Sequence, residues 1–117
     1  MKKLILSSLL FLGINFVIFA QSGKVIPAAE FYPGGQDSMY AFIDKHKVYP
    51  MLAKKNRISG ECIINFILNE DGTIYSPTIV KNIGGGCGQE ALRVTKLLKF
   101  KPPGYKIQTS IPIYFKL

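Results

Sequence analysis

The fold is decided by residues 60–81, which read GECIINFILNEDGTIYSPTIVK. Residues 61–68 alternate between strongly apolar and less apolar positions, the two-residue period of a β-strand with one buried face. Residues 69–72, Asn-Glu-Asp-Gly, form a turn in which Gly72 can take a positive φ angle. Residues 74–81 then return as a second strand. The stretch therefore predicts an antiparallel β-hairpin.

Helices are predicted on both sides of this hairpin. Apolar residues at helical spacing predict a first helix over residues 38–46, with Asp37 or Ser38 as its N-cap. A short helix over residues 50–55 follows, because the proline at its first position loses no helical hydrogen bond. After the hairpin, a glycine-rich loop leads into a third helix over residues 89–98. The chain thus combines helices with strands.

The strand order follows from the positions of two prolines. A last strand is predicted over residues 107–117, and it holds Pro112, while the second strand holds Pro77. Proline cannot donate to a strand ladder and therefore belongs on edge strands. The order 2-1-3 places both prolines on edges and makes every pair antiparallel. We therefore predict an α+β fold, with a three-stranded antiparallel sheet in the order 2-1-3 and helices packed on one face.

The N-terminus has the layout of an export signal. Residues 1–20 begin with two lysines after Met, continue as an apolar run and end at Ala20, where polar residues follow. We predict a signal peptide over residues 1–20, a short lead-in over residues 21–30 and one domain over residues 31–117. The alternative is an uncleaved membrane anchor, although the run is at the lower limit of a spanning helix. In both cases the domain lies outside the cytoplasm.

The composition argues against most catalytic chemistry. The 117 residues carry 15 Lys+Arg against 7 Asp+Glu, a net charge of +8, with one His and two Cys. So few His and Cys residues cannot build a usual zinc site, and no nucleophile lies near His46 in the sequence. The loop Gly84-Gly85-Gly86 lacks the Lys-Ser/Thr of a phosphate-binding loop. We therefore expect no enzyme, no metal and no cofactor.

The excess of basic residues has two interpretations. An exported protein meets little nucleic acid, so we expect a solvated basic face rather than a nucleic-acid site. Attraction to anionic lipid head groups or to an acidic partner peptide is the functional alternative.

The two cysteines, Cys62 and Cys87, also leave two interpretations open. In an oxidising compartment they can form a disulfide, which would close a loop of about 25 residues and contribute about 3–4 kcal/mol on the chain-entropy model. The alternative is two separate buried thiols.

The remaining candidate for function is the free edge of the last strand. An unpaired edge can bind an extended partner peptide by strand addition, in which main-chain hydrogen bonds give affinity. The alternative is an edge that Pro112 and Lys116 protect, with no partner. The residues alone leave both interpretations open.

Several short motifs follow one another in a characteristic order. They are Tyr49-Pro50 with Ala53, Gly60 with Phe66, Asp71-Gly72 with Ile74, Gly84-Gly85-Gly86-Cys87, Glu90-Ala91 with Arg93-Val94, Lys101-Pro102, and Pro112-Ile113 with Phe115. Through these motifs, residues 31–117 resemble the C-terminal domain of TonB, the periplasmic energy transducer of Gram-negative bacteria. About ten residues separate Ala20 from this domain, a reach of at most about 35 Å, so we expect a short, freestanding form.

The resemblance implies a function by strand addition. In that family the last strand binds the TonB box, a short extended segment of an outer-membrane receptor. Force then opens the receptor to siderophores or other nutrients. We therefore expect a periplasmic domain, or one anchored in the inner membrane if residues 1–20 are retained, whose partner is a receptor segment. The implied binding residues are Gln108, Thr109, Ser110, Ile111, Pro112, Ile113, Tyr114 and Phe115.

The alternative function is that of a structural or oligomerising envelope protein. Its free edge would pair with a second copy of the chain, or its basic face would dock on lipid.

Overall fold

A computed structural model of the chain describes residues 25–117. The predicted signal peptide, residues 1–20, lies outside the described residues. Within residues 25–117, no helix is long and apolar enough to cross a membrane. The elements in chain order are a 3₁₀ helix Pro27–Phe31, helix α1 Gly35–His46, helix α2 Met51–Lys55, strands β1 Gly60–Leu68 and β2 Ile74–Lys81, helix α3 Cys87–Lys96, and strand β3 Ile107–Phe115.

The predicted sheet is confirmed. Its order is β2-β1-β3, and both pairs are antiparallel. The pairing of β1 with β3 runs without interruption from Gly60 opposite Phe115 to Leu68 opposite Ile107. The pairing of β1 with β2 is interrupted by two register shifts. The sheet therefore has one regular half and one irregular half.

The core lies between the helices and one face of the sheet. Every second residue of β1 from Cys62 to Leu68 is buried, as the alternating sequence predicts. The facing side chains come from Met39 and Ile43 of α1 and from Val94 of α3. The core also extends beyond the predicted domain start at residue 31, since Ile26, Ala28 and Ala29 are buried in the same cluster.

The predicted N-cap of the first helix is wrong. The structure begins α1 at Gly35, with Gly34 as the N-cap in the left-handed region at φ 91°, and no side chain caps the helix. Gly34 fills this position because a Cβ there would collide with the side chain of Ser38. Helix α3 also begins earlier than predicted, after the left-handed Gly86. In both cases a glycine at the N-cap turns the chain into the helix. At α3 the side-chain oxygen of Asn82 accepts a hydrogen bond from the first-turn N–H of Gly88 at 3.1 Å.

A charged pair on α3 holds the segment that follows α1. Arg93 contacts Glu90 at 2.7 Å and donates a hydrogen bond to the carbonyl oxygen of His46 at 2.9 Å. The backbone N–H of Val48 donates to the Glu90 carboxylate at 2.7 Å. The hydrogen bonds from Arg93, and then the one from Val48, hold the pKa of Glu90 below its ordinary value. The backbone on either side of Lys47 is therefore fixed to α3.

Thr109 gives a first testable prediction. Its side chain is buried, and its hydroxyl finds no hydrogen-bond partner among residues 25–117. We expect Thr109→Val to raise the free energy of unfolding by about 1 kcal/mol, because it removes an unsatisfied buried hydroxyl and keeps the side-chain shape. Urea denaturation measures the difference. Thr95→Val is the matched control, since the Thr95 hydroxyl donates to Ala91 at 2.8 Å and its removal should not stabilise the domain. A destabilised Thr109→Val variant would contradict the prediction.

A second prediction concerns the pH dependence of the charged pair. Because the folded pKa of Glu90 is lowered, its carboxylate stabilises the domain fully above the ordinary glutamate pKa of about 4.5. This stabilisation is lost as the pH falls through the lowered folded pKa. We expect Glu90→Gln to cost about 1 kcal/mol at neutral pH, given that Arg93 is half exposed, and progressively less below pH 4.5.

Denaturation curves across this pH range provide the check. The control is Glu70→Gln, because Glu70 is exposed and its side chain makes no hydrogen bond in the described part of the chain. A loss of stability for Glu90→Gln that does not change with pH would contradict the account.

Candidate functional site

The outer edge of β3 is the candidate site, and its geometry depends on which backbone groups point outward. In an antiparallel pair, alternate residues direct their N–H and C=O groups to the partner strand or away from it. Pro112 has no N–H, which suits an outward position. The carbonyl oxygens of Pro112 and Tyr114 both accept hydrogen bonds from side chains outside the sheet. The even-numbered residues Gln108, Ser110, Pro112 and Tyr114 are therefore the outward set.

The eight predicted binding residues divide by face into two groups. One group has its side chains in the core and its backbone groups directed to β1. The other group, the outward set, has its backbone groups directed away from β1. Only the outward set can form main-chain hydrogen bonds with a partner strand without breaking the ladder. The core group comprises Thr109, Ile111, Ile113 and Phe115.

The first half of the outward set is open. Among the described residues, no hydrogen bond reaches the outward N–H or C=O groups of Gln108 or Ser110. Both residues are exposed. The Ser110 hydroxyl donates sideways to Asn65 of β1 at 3.2 Å, which leaves its backbone groups unoccupied. We call Gln108 and Ser110 the open half of the edge.

The second half of the outward set is occupied. The hydroxyl of Tyr40, in α1, donates to the carbonyl oxygen of Pro112 at 2.8 Å. The ammonium group of Lys47, which follows α1, donates to the carbonyl oxygen of Tyr114. We call Pro112 and Tyr114 the latched half of the edge, and the two side chains that hold it the latch.

Both latch residues are held firmly in place. The ring of Tyr40 lies 6.0 Å from the ring of Tyr114, and burial, followed by the neighbouring Tyr114 hydroxyl and two carboxylates, raises the pKa of the Tyr40 hydroxyl. This hydroxyl therefore remains protonated and can donate at neutral pH. The side chain of Lys47 is only 17% exposed, lies 5.2 Å above the ring of Phe115 and contacts Asp44 at 3.4 Å.

Sequence reasoning missed the latch. Tyr40 and Lys47 are seven residues apart, a spacing that brings two side chains to the same side of a helix, and this was the available signal. Their acceptors lie 72 and 67 residues further along the chain, so no local pattern links the two partners.

A cavity of about 380 Å³ adjoins the latched half. Three tyrosine rings, two ammonium groups and one carboxylate surround it, so it combines apolar surface with charges of both signs. Burial raises the pKa of the Tyr114 hydroxyl, which therefore also stays neutral. The lining residues are Tyr40, Asp44, Lys47, Tyr49, Tyr114 and Lys116.

Apart from the motif residues on β3 itself, the residues implied by the resemblance lie outside the open half of the edge, and their contacts are structural. Tyr49 packs edge-on against Phe115 at 5.6 Å, and its hydroxyl donates a hydrogen bond to the carbonyl oxygen of Ile58. Ala53 is buried, and a Cβ on Gly85 would come within 2.8 Å of it. Two further motif residues lie at the ends of elements: Pro50 is the N-cap of α2, and Gly60 is the first residue of β1.

The remaining motif residues stabilise the hairpin and α3. Asp71 accepts hydrogen bonds from the hydroxyl and then the backbone N–H of Thr73, and these bonds lower the pKa of Asp71. A Cβ on Gly72 would come within 2.7 Å of the Phe100 carbonyl oxygen. On α3, Ala91 is buried, and Glu90 and Arg93 form the charged pair described above. These residues build the scaffold that presents β3.

Cys62 and Cys87 are both buried free thiols in this structure. Burial raises the pKa of each thiol, so neither is an activated nucleophile. Their pairing in an oxidising compartment stays a prediction. In the described part of the chain, no group of three or more His, Cys, Asp or Glu side chains is placed to hold a metal ion.

Comparison with solved structures supports the fold. The chain is similar to the C-terminal domain of TonB from Helicobacter pylori, solved in solution by NMR, with a TM-score of 0.61 and 24% identity over 81% of this chain and 95% of that one. A shorter fragment of the same domain gives a TM-score of 0.59 and 26% identity over 68% of this chain and 90% of the other. A comparison with curated protein sequences finds no match.

A family model settles the assignment. The model described as "Gram-negative bacterial TonB protein C-terminal" matches residues 45–117, from the end of α1 to the last residue. The match covers more than half of the chain and includes the whole sheet with its free edge. The protein therefore belongs to the family of Gram-negative bacterial TonB C-terminal domains.

Proposed function

We propose that this domain is the interaction module of a TonB-type energy-transduction system in the cell envelope. It binds an extended segment of an outer-membrane receptor by adding that segment to the edge of β3. In this way it supports the energised uptake of siderophores or other nutrients. The observation that carries the proposal is the open half of the edge, where Gln108 and Ser110 offer unoccupied donors and acceptors.

The β3 edge suits strand addition better than the β2 edge does. Its pairing with β1 is regular over nine residue pairs, so its outward groups follow the even spacing that a partner strand requires. The β2 edge is distorted by two register shifts, by Ser76 with φ 53° and by Pro77. Bulges and prolines of this kind protect an edge from pairing.

The charge around the site favours an acidic partner. Lys106 and Lys116 flank β3 on either side, and both are exposed. Together with the overall excess of Lys and Arg over Asp and Glu, these groups attract a segment that carries carboxylates and speed its association.

The proposed role is non-enzymatic and located in the periplasm. The partner is a protein segment, and neither nucleic acid nor a cofactor takes part. Membrane contact is proposed only for a form that retains residues 1–20.

An NMR titration tests the proposal. The ¹⁵N-labelled exported protein is titrated with synthetic TonB-box peptides from outer-membrane receptors. We expect the largest amide shifts at Gln108 and Ser110, because their N–H groups gain acceptors. A peptide that is N-methylated at the residues facing β3 should not bind, whereas one N-methylated at the intervening residues should bind as the parent does.

Two results would contradict the proposal. One is the absence of β3 shifts with every receptor peptide. The other is equal binding by both methylated peptides, which would mean that main-chain pairing is not used. Self-association that depends on concentration, without any affinity for peptide, would instead support the alternative of an oligomerising envelope protein.

A further inference from the structure

The two halves of the β3 edge offer a partner different groups. The open half presents two N–H groups and two carbonyl groups, from Gln108 and Ser110. In the latched half, both carbonyls already accept hydrogen bonds, and Pro112 has no N–H. In the latched half, a partner strand that left the latch in place would gain only one hydrogen bond, from the N–H of Tyr114.

We propose that Tyr40 and Lys47 set the length and register of the bound partner segment. The latch stays closed in the complex, the partner pairs only with the open half, and its chain leaves the edge before Pro112. The inference rests on the proposed function, since it concerns how the same edge is used. It assigns a specificity role to two side chains that lie outside the strand itself.

The energetics of hydrogen bonding favour a closed latch. The bond from the Lys47 ammonium to the Tyr114 carbonyl is charge-assisted, and such bonds are about twice as strong as neutral ones. A partner backbone N–H would replace it with a neutral bond and would leave the ammonium group of Lys47, a side chain that is only 17% exposed, without that acceptor. Displacement of the latch therefore weakens binding, and a shorter paired segment is preferred.

The latch is also organised before any partner arrives. Lys47 is held by Asp44 and by the face of the Phe115 ring. The backbone on either side of Lys47 is fixed by the contacts of His46 and Val48 with the charged pair on α3. No rearrangement is needed to hold it closed, so closure costs little entropy when the partner binds.

The cavity beside the latch has a role in this scheme. In this scheme a partner that leaves the edge before Pro112 places a following side chain in the cavity that Tyr40, Tyr49 and Tyr114 line. That space holds about 380 Å³, enough for one side chain, and Lys47 and Lys116 line it. Recognition therefore combines a short backbone pairing with one side-chain pocket.

The test compares the wild-type protein with Tyr40→Phe, Lys47→Met and the double variant. Each substitution keeps the side-chain bulk and removes the donor. Amide hydrogen exchange is followed by NMR with and without a TonB-box peptide. In the wild-type complex we expect new protection at Gln108 and Ser110 but not at Tyr114. In the double variant, protection should extend to Tyr114. The peptide should bind at least about fivefold more tightly than to the wild-type protein, because the carbonyls of Pro112 and Tyr114 are then free to bond to it.

Two control variants remove the same groups elsewhere. Lys45→Met deletes an exposed charge on α1 that makes no hydrogen bond or ion pair in the described part of the molecule, and Tyr105→Phe deletes an exposed hydroxyl. Both should bind as the wild-type protein does. Protection of Tyr114 equal to that of Ser110 in the wild-type complex would overturn the inference, as would unchanged affinity in the double variant.

A measurement without peptide separates this inference from the proposed function. If no protein binds any peptide, the proposed function fails, and the latch is judged in the free protein by the ¹³C carbonyl resonances of Pro112 and Tyr114. Tyr40→Phe should shift the resonance of Pro112, and Lys47→Met should shift that of Tyr114. Unchanged resonances overturn the latch itself.

Discussion

The uninterrupted antiparallel pairing of β1 with β3 is the constraint on which the rest of the structure depends. It places the odd-numbered residues of β3 in the core and turns the backbone groups of the even-numbered residues outward. One register thus builds the apolar core and the free edge together. A shift by one residue would bury Gln108 and Ser110 and expose Ile111 and Ile113, so burial of the core fixes the geometry of the site.

Much of the fold could be predicted from local patterns. The alternation in residues 60–68 and the Asp-Gly turn define the hairpin, and the two prolines identify the edge strands. The helix starts could not be predicted from capping rules, because the N-cap residues Gly34 and Gly86 turn the chain in the left-handed region and carry no capping side chain. The burial of Ile26 also depends on tertiary packing, since the lead-in has no periodic pattern of its own.

The site was only partly predictable. The free edge follows from strand order, but the division of that edge into halves arises from contacts between α1 and β3, which are distant in the sequence. The motif residues contribute to the site indirectly. Glu90 and Arg93 hold the segment that carries Lys47, and Tyr49 supports the ring of Phe115. The scaffold and the binding edge are therefore one connected system.

Amide hydrogen exchange of β3 in the free protein tests the central claim most directly. The account predicts alternation along the strand: the amides of Thr109, Ile111, Ile113 and Phe115 exchange slowly because they bond to β1, whereas those of Gln108, Ser110 and Tyr114 exchange rapidly. Slow exchange at Gln108 and Ser110, to the same degree as at their odd-numbered neighbours, would show that the edge is already paired, and it would contradict the account.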